Sequence, residues 1–316
     1  MRDNTRYPKV TVVGAGNVGA NTALLLLLKD IANIVLIDVA DGVAKGKALD
    51  IMHMRSNEQF GASVIGTGDY ADTSDSDIVV VTAGLPRKPG MTREDLVQKN
   101  ATIVRSVLDG ALSASPNAIF IFVTNPLDVM TNLAYTIASN TIGLPAQRLM
   151  GMGGVLDTAR FKYAICEATQ TEPSQVDAMV IGAHGEAMVP LPSIATVNGK
   201  PLAKLLDAKR IAQITQDTVQ GGAKVVELLQ TGSAFYAPAS SISAMVCEIL
   251  APTNRTLSVC ARLNGEYGIQ DLHMCVPCKL GKEGVASIVN LPLSNQELDS
   301  LKESAESVRK QVELVL

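Results

Sequence analysis

The stretch VTVVGAGNVGANTALLLL, residues 10–27, joins an apolar strand pattern directly to a helical one. Three glycines at the junction have G-x-G-x-x-G spacing. In such a turn the first glycine permits a tight bend, the second lets a pyrophosphate approach the backbone, and the third lets helix and strand pack closely. The N–H groups at the start of the helix then face the phosphates. The predicted cofactor-binding residues of this turn are Gly14, Gly16, Asn17, Val18 and Gly19.

A carboxylate follows the next apolar run, NIVLIDV, where Asp38 stands 19 residues after Gly19. At this place a carboxylate accepts hydrogen bonds from the ribose of adenosine and repels a 2′-phosphate. No Lys or Arg follows in DVADGV to bind such a phosphate, so Asp38 favours NAD over NADP. Folds that bind FAD or S-adenosylmethionine share the glycine pattern, so this half alone predicts a nucleotide and not a reaction.

The first half of the chain alternates strand and helix patterns. KVTVVGA, NIVLIDV, DIVVVTA and AIFIFVT are near-continuous apolar runs, and helices are predicted at about 17–30, 42–55 and 93–114. This alternation is typical of an open, doubly wound parallel sheet in an α/β protein. Beyond residue 150 we predict helices at about 155–169, 208–230, 236–250 and 295–315, with hairpins around TVNGK and RLNGEYG. The predicted domains are residues 1–150 for the nucleotide and residues 151–316, an α+β unit, for the substrate.

Composition narrows the class of partner. The 316 residues carry a net charge of −4 and no Lys/Arg-rich run, which argues against nucleic acid because phosphate binding needs a basic face. The longest apolar run, ALLLLL at 23–28, is far shorter than the roughly 20 residues of a membrane span. The polar start MRDNTRYP is unlike a secretory signal, and five cysteines fit a reducing compartment. We therefore expect a cytoplasmic protein.

One of the three histidines stands out. His184 lies in VIGAHGEAM, where an apolar strand ends among glycines, so its side chain is expected to face a cleft. His53 in DIMHMR and His273 in HMCVPCKL are predicted to be structural. Cys275 and Cys278 have C-x-x-C spacing, but no second such pair is present to complete the four ligands of zinc, and no metal site is predicted.

A carboxylate and a guanidinium lie close together in GVLDTARFKYAI. Asp157 and Arg160 are three residues apart and so share one face of the predicted helix. An isolated pair of this kind is usually a solvated salt bridge. Beside a histidine in a cleft, however, Asp157 can orient the imidazole and stabilise its protonated form. Arg160 can bind a substrate carboxylate through its two-pronged guanidinium.

These motifs, together with GLPRKPGMTRED at 84–95, TNPLD at 124–128 and AHGEAMVPLP at 183–192, resemble the lactate/malate dehydrogenase family, in particular its lactate-dehydrogenase-like malate dehydrogenases. The resemblance runs from about residue 9 to the C-terminal helix. It implies an N-terminal Rossmann domain, NAD as cofactor, a dicarboxylate substrate, a homodimer or homotetramer, and a place in the tricarboxylic acid cycle. Glu186 and the run GMGG before Val155 depart from the common family pattern, but neither departure alters a residue with a chemical role, so the resemblance still implies the same reaction.

The resemblance also implies a role for each matching residue. His184 corresponds to the proton donor and acceptor, Asp157 to its partner, and Arg160 to the arginine that binds the carboxylate beside the reacting carbon. Asn125 matches an asparagine that contacts the substrate and helps to place the nicotinamide. Arg93 matches the loop arginine that polarises the carbonyl, and Arg87 matches the position that distinguishes malate from lactate enzymes.

The two loop arginines are expected to differ. Thr92 and Asp95 have capping-box spacing, which predicts a helix that begins at Arg93, whereas Arg87 lies in the loop. We expect the loop to close and expel water when a substrate with two carboxylates draws both arginines inward. A methyl group facing Arg87 would leave a buried guanidinium unpaired, at a cost of about 3–5 kcal/mol. Malate is therefore favoured over lactate or a longer 2-hydroxy acid.

The third alternative is a non-catalytic NAD-binding module. Such a module would not need His184, Asp157, Arg160 and Arg93 together.

Overall fold

The computed structural model describes residues 7–86 and 91–316, and for Arg93 the backbone alone. The strands are β1 (Lys9–Val13), β2 (Asn33–Ile37), β3 (Val64–Thr67), β4 (Ile78–Val81), β5 (Ile119–Phe122), β6 (Leu149–Gly151), β7 (Val176–Asp177), β8 (Val180–Gly182), β9 (Met188–Pro190), β10 (Thr196–Val197), β11 (Lys200–Pro201), β12 (Thr256–Asn264), β13 (Gln270–Gly281) and β14 (Gly284–Ile288). The helices are α1 (Asn17–Leu28), α2 (Asp41–His53), α3 (Arg55–Glu58), α4 (Arg93–Ala114), α5 (Leu127–Ile142), α6 (Gly154–Thr169), α7 (Ala208–Leu229), α8 (Tyr236–Leu250) and α9 (Asn295–Val312).

The sheet confirms the predicted doubly wound α/β architecture. Its parallel part has the order β3-β2-β1-β4-β5-β6, with β1 central and paired to both β2 and β4. At β6 the sheet continues into antiparallel β12, β13, β8 and β9, while β14 pairs with β13. The strands of the substrate half thus extend the sheet of the nucleotide half. The predicted boundary near residue 150 falls at this junction, and the division into 1–150 and 151–316 stays a prediction.

The burial of each strand explains whether its sequence was recognisable as a strand. Every residue of β4 and of β5 is buried, and because side chains alternate between the two faces of a sheet, both faces are covered there. Such strands appear as continuous apolar runs. The edge strand β3 was not predicted, since Ile65 is exposed and Gly66 breaks the apolar pattern. Helix α5 was also missed. Its first eight residues are all buried, so its sequence lacks the division into an apolar and a polar face by which a surface helix is predicted.

The other predicted helices are confirmed within a few residues, as are the hairpins β10–β11 and β12–β13. The apolar sequence of α8 also led us to regard residues 236–250 as a candidate subunit contact. Most of this helix is buried within its own chain, where it packs on α1 and β13, so internal packing accounts for its apolar character. Throughout the described ranges, no helix is long and apolar enough to cross a membrane.

Candidate active site

The glycine turn after β1 has the geometry that the sequence predicted. Gly14 has a φ of 105°, and a Cβ there would lie 2.7 Å from the Thr82 Oγ1. A Cβ on Gly19 would lie 1.9 Å from the Gly14 carbonyl oxygen, whereas one on Gly16 would meet no atom within 4 Å. The first and third glycines are therefore required by packing. The open space at Gly16, at the start of α1, is where a phosphate group can approach the backbone.

Asp38 is held beside this turn by the backbone. Its carboxylate accepts hydrogen bonds from the N–H of Ala15, at 2.7 Å, and from the N–H of Ala40, at 2.9 Å. Lys47, which sequence reasoning missed, donates from its Nζ to the Ala15 carbonyl oxygen at 2.7 Å. The signal available for Lys47 was weak, since a lysine one turn into a helix is usually solvated. Residues Asn17 and Val18 lie in the first turn of α1. All the predicted cofactor-binding residues except Asn125 therefore lie around this one turn.

His184, Asp157 and Arg160 form one cluster. The Nδ1 of His184 lies 2.8 Å from the Oδ2 of Asp157, and the Nη1 of Arg160 donates to the Oδ1 of the same carboxylate at 3.2 Å. Asp157 is almost fully enclosed, with 2% of its side chain exposed, while about a fifth of Arg160 is exposed. The carboxylate thus orients both partners and leaves the Nε2 of the imidazole for another molecule.

The backbone around His184 is bent by glycines and held by α9. Gly182 and Gly185 have φ values of 86° and 116°, in a region that favours glycine. The Ser304 Oγ on α9 accepts the Ala183 N–H at 2.9 Å and donates to the Ala187 carbonyl at 2.7 Å. These contacts fix both ends of the turn, which explains how His184 is presented at the end of β8.

Electrostatics favours the protonated form of His184. Burial alone would lower the pKa of His184, but the charge and hydrogen bond of Asp157, with the charge of Asp128, outweigh burial and the opposing charge of Arg160 and raise it. An imidazole with a carboxylate partner and a raised pKa can donate and accept a proton near neutral pH.

Asn125 lies in the same cavity as His184, a space of about 500 Å³ lined also by Leu96 and Val97 of α4 and by Gly185. Asn125 precedes Pro126 through a cis peptide bond. A larger groove of about 740 Å³ runs along α9, but it is lined by none of the predicted site residues. We therefore take the cavity at His184 as the reaction site.

Asn100 is a second residue that sequence reasoning missed. Its fully buried amide donates to the backbone carbonyls of Asn125, at 2.6 Å, and Leu85, at 3.1 Å, and it accepts the Leu85 N–H at 2.8 Å. The side chain thereby ties the start of the loop to the start of α5. A polar residue on the buried stripe of α4, between Val97 and Val104, was the available signal.

The structure describes only part of the loop at residues 84–95, for which the sequence made several predictions. The capping box is confirmed: the Thr92 Oγ1 accepts the Asp95 N–H at 3.0 Å, the Asp95 carboxylate accepts the Thr92 N–H, and α4 begins at Arg93. Arg87 and the side chain of Arg93 lie outside the described residues, so their roles and the proposed loop closure stay predictions.

The remaining histidines have different surroundings. His53 is exposed at the end of α2. His273 is fully buried in β13, next to the ring of Tyr135 at 5.0 Å between centroids. Neither ring nitrogen of His273 has a hydrogen-bond partner among the described residues. Burial, with a smaller contribution from Arg262, lowers the pKa of His273 to about 3.

The cysteine that lies next to Cys275 is Cys260 and not Cys278, the other cysteine of the C-x-x-C spacing. Cys275 and Cys278 are both buried and free, but Cys275 lies opposite Cys260 across β12 and β13. Ligand atoms of Cys260, Cys275 and Asp128 lie within 4.8 Å of one another. Each already has a partner, since the Cys275 Sγ accepts the Gly154 N–H at 3.1 Å and the Cys260 Sγ lies 3.5 Å from the Asp128 Oδ1. Three ligands are one fewer than a structural zinc site uses.

Comparison with known proteins supports the fold and shows the family. Residues 8–151 match the family described as lactate/malate dehydrogenase, NAD binding domain, and residues 154–316 match lactate/malate dehydrogenase, alpha/beta C-terminal domain. The malate dehydrogenase of Nostoc punctiforme is 52% identical over 306 residues, which are 97% of this chain and 92% of the relative.

Two solved structures from Cryptosporidium parvum are also similar. Its malate dehydrogenase is 39% identical with a TM-score of 0.93, over 98% of this chain and 99% of the other. Its lactate dehydrogenase, complexed with lactic acid and nicotinamide adenine dinucleotide, is 36% identical with a TM-score of 0.94, over 98% of both chains. The chain described here therefore belongs to the lactate/malate dehydrogenase family of NAD-dependent oxidoreductases.

Proposed function

We propose that this protein interconverts (S)-malate and oxaloacetate with NAD as the hydride carrier. The observation that carries the proposal is the cluster of His184, Asp157 and Arg160, in which His184 opens onto the same cavity as Asn125. That cluster offers a proton donor and a carboxylate-binding group side by side, which is what interconversion of a 2-hydroxy acid and a 2-oxo acid requires. The curated relatives at 47–52% identity are named malate dehydrogenases.

The turn after β1 fits NAD. The open backbone at Gly16 and the N–H groups of α1 suit a pyrophosphate, and the Asp38 carboxylate suits the adenosine ribose. When bound, NAD supplies the site that accepts or gives up the hydride. With malate, neutral His184 takes the hydroxyl proton through Nε2, and Asp157 stabilises the imidazolium that forms. With oxaloacetate, the same proton is returned. Arg160 holds the carboxylate beside the reacting carbon, and Asn125 contacts the substrate.

The choice of malate over lactate depends on the loop. The overall fold does not discriminate between malate and lactate as substrate, because the TM-scores to the malate and lactate dehydrogenases of Cryptosporidium parvum are almost equal. The chain carries an arginine at position 87, which we propose pairs with the second carboxylate of malate, while Arg93 polarises the reacting carbonyl.

A direct assay tests this proposal. NADH oxidation is followed with oxaloacetate and with pyruvate, and again with NADPH in place of NADH. We expect oxaloacetate to be used far better than pyruvate, because pyruvate would leave Arg87 unpaired. We expect NADH to be used far better than NADPH, because the 2′-phosphate of NADPH would bring roughly −1.5 to −2 charges close to Asp38. Equal kcat/KM for oxaloacetate and pyruvate would rule out the assigned substrate. Equal kcat/KM for the two cofactors would rule out the role of Asp38.

We also propose a cytoplasmic homo-oligomer, a dimer or a tetramer, that serves the tricarboxylic acid cycle. Exposed apolar side chains on α2, namely Val43 and Leu49, and Leu228 at the end of α7 support a contact between copies of the chain. Sedimentation velocity of the purified protein tests this proposal, and a monomer of 33.3 kDa at micromolar concentration would contradict it.

A further inference from the structure

Asp128 lines the same cavity as His184 and has no part in the mechanism above. It is the second residue of α5, three positions after Asn125, and is 4% exposed. Its Oδ2 accepts the backbone N–H of His184 at 2.8 Å. One side chain therefore links the helix that follows Asn125 to the turn that presents the imidazole.

The other oxygen of Asp128 faces thiols instead of cations. Its Oδ1 lies 3.5 Å from the Cys260 Sγ, and burial raises the pKa of Cys260 well above its ordinary value. For Cys275, burial and nearby carboxylates raise the pKa although the hydrogen bond with Cys260 opposes them. Both thiols are thus neutral, and among the described residues Asp128 forms no ion pair with Lys or Arg.

The charge of Asp128 therefore acts on His184. Burial raises the pKa of Asp128 to about 6, against the hydrogen bond from the His184 backbone and the imidazole charge. Above that pH Asp128 is an anion. Among the described side chains, the charged groups that act on the imidazole are Asp157 and Arg160 of α6 and Asp128 of α5. Two carboxylates on separate helices thus raise the pKa of His184, while one guanidinium lowers it.

We propose that Asp128 is a positioning residue that fixes the backbone of His184 and supplies a second buried negative charge close to its ring. This inference rests on the proposed function, in which His184 carries the proton. Asp157 holds the ring directly, while Asp128 acts through the backbone hydrogen bond and through its field. As pH falls below about 6, Asp128 becomes neutral and its electrostatic support of the imidazolium is lost.

The variant Asp128→Asn separates the two contributions. The amide keeps an oxygen that accepts the His184 N–H, but it carries no charge. The readout is NMR titration of the imidazoles in the full-length protein without substrate, which is simplified by the presence of only three histidines. We expect the pKa of His184 to be lower in Asp128→Asn than in the parent protein.

Glu248→Gln is the matched control. Glu248 is also a buried carboxylate, 2% exposed, and it also accepts a backbone N–H, that of Thr253 at 2.7 Å. It lies on α8 and pairs with Arg255. We expect this variant to leave the His184 titration unchanged. An equal shift in both variants, or no shift in a folded Asp128→Asn, would overturn the inference.

Kinetics supplies a second readout. In Asp128→Asn the pH profile of oxaloacetate reduction should move to lower pH, and kcat/KM above neutral pH should fall roughly three- to tenfold, because protonated His184 becomes scarcer. NADH affinity should not change. If the parent protein fails to reduce oxaloacetate, the proposed function is wrong, but the NMR titration still tests the role of Asp128.

If Asp128→Asn does not fold, Cys260→Ala carries the test. Removing the thiol that hydrogen-bonds to the carboxylate favours protonation of Asp128, so the His184 titration should move in the same direction by a smaller amount. An unchanged His184 titration in Cys260→Ala would then contradict the inference.

Discussion

His184, just after β8, lines the cavity with 17% of its side chain exposed, whereas His273 in the middle of β13 is fully buried, and their surroundings give opposite proton affinities. His184 has the Asp157 carboxylate at 2.8 Å, and its pKa is raised despite burial. His273 has no hydrogen-bond partner among the described residues, and burial lowers its pKa to about 3. Burial alone disfavours the charged form, and a carboxylate in contact reverses that preference.

The two rings therefore affect stability with opposite signs. Protonated His184 stabilises the fold below pH 6.5, and this contribution is lost as the pH rises through the raised pKa. Neutral His273 is favoured by the fold, so acid destabilises the protein as the unfolded chain takes up a proton below pH 6.5. The reactive histidine is thus distinguished by its carboxylate partner and by its access to the cavity.

The largest expected effect tests which ring is chemically active. His184→Asn should lower kcat for oxaloacetate reduction on the order of 10⁴-fold, since general acid–base catalysis contributes up to about that factor. NADH binding, measured by fluorescence titration, should persist because the turn after β1 is untouched. His53→Asn, on the exposed end of α2, is the control and should retain full activity. Residual turnover within tenfold of the parent would exclude His184 as the proton donor.

The partner of His184 should matter almost as much. Asp157→Asn removes the charge that stabilises the imidazolium and should lower kcat on the order of 10³-fold. Because the pKa of His184 should fall, the profile of oxaloacetate reduction should lose activity at a lower pH than the parent does. The measurement is kcat against pH from 5 to 10. A profile that keeps its position would show that the carboxylate only orients the ring.

Arg87 extends the comparison to a charged group whose proposed partner is the substrate. Arg87→Gln should lower kcat/KM for oxaloacetate on the order of 10²-fold and raise the relative rate with pyruvate, which leaves the parent guanidinium unpaired. Arg93→Gln should depress both substrates in similar proportion, mainly through kcat, since it removes charge stabilisation that grows with the oxyanion. If Arg87→Gln lowered both substrates equally, Arg87 would not be the residue that selects malate.

Local signals in the sequence were sufficient for much of this architecture. The turn at Gly14, Gly16 and Gly19 and the capping box before α4 depend on neighbours within a few residues, so their spacing predicts them. The buried strands β4 and β5 are apolar throughout and were equally predictable. The pairing of His184 with Asp157, 27 residues away, has no local spacing signal. It was inferred from the chemistry of a carboxylate beside a cleft histidine and was implied again by resemblance to a family.

Residues that act through distant contacts were not predictable from the sequence. Asp128 looked like one polar residue in TNPLD, and its role depends on the backbone of His184, 56 residues further along the chain. Asn100 likewise acts through Leu85 and Asn125. A polar residue on a buried stripe, such as Asn100 on α4, indicates a buried polar group, but a partner on a distant backbone leaves no pattern of spacing.

The smallest expected effect concerns His273 and appears in stability instead of activity. Between pH 6.5 and its folded pKa of about 3, each pH unit of acidification should cost about 1.4 kcal/mol of unfolding free energy, or about 2 kcal/mol at pH 5. His273→Leu removes this titration and replaces a ring that has no hydrogen-bond partner among the described side chains. Urea unfolding at pH 7.5 and pH 5 should therefore show a smaller loss of stability in the variant than in the parent. His53→Gln, on the exposed end of α2, should behave like the parent, and all three proteins should reduce oxaloacetate at similar rates at pH 7.5. An unaltered acid sensitivity in His273→Leu would mean that β13 does not hold this imidazole in its neutral form, and the contrast with His184 would fail.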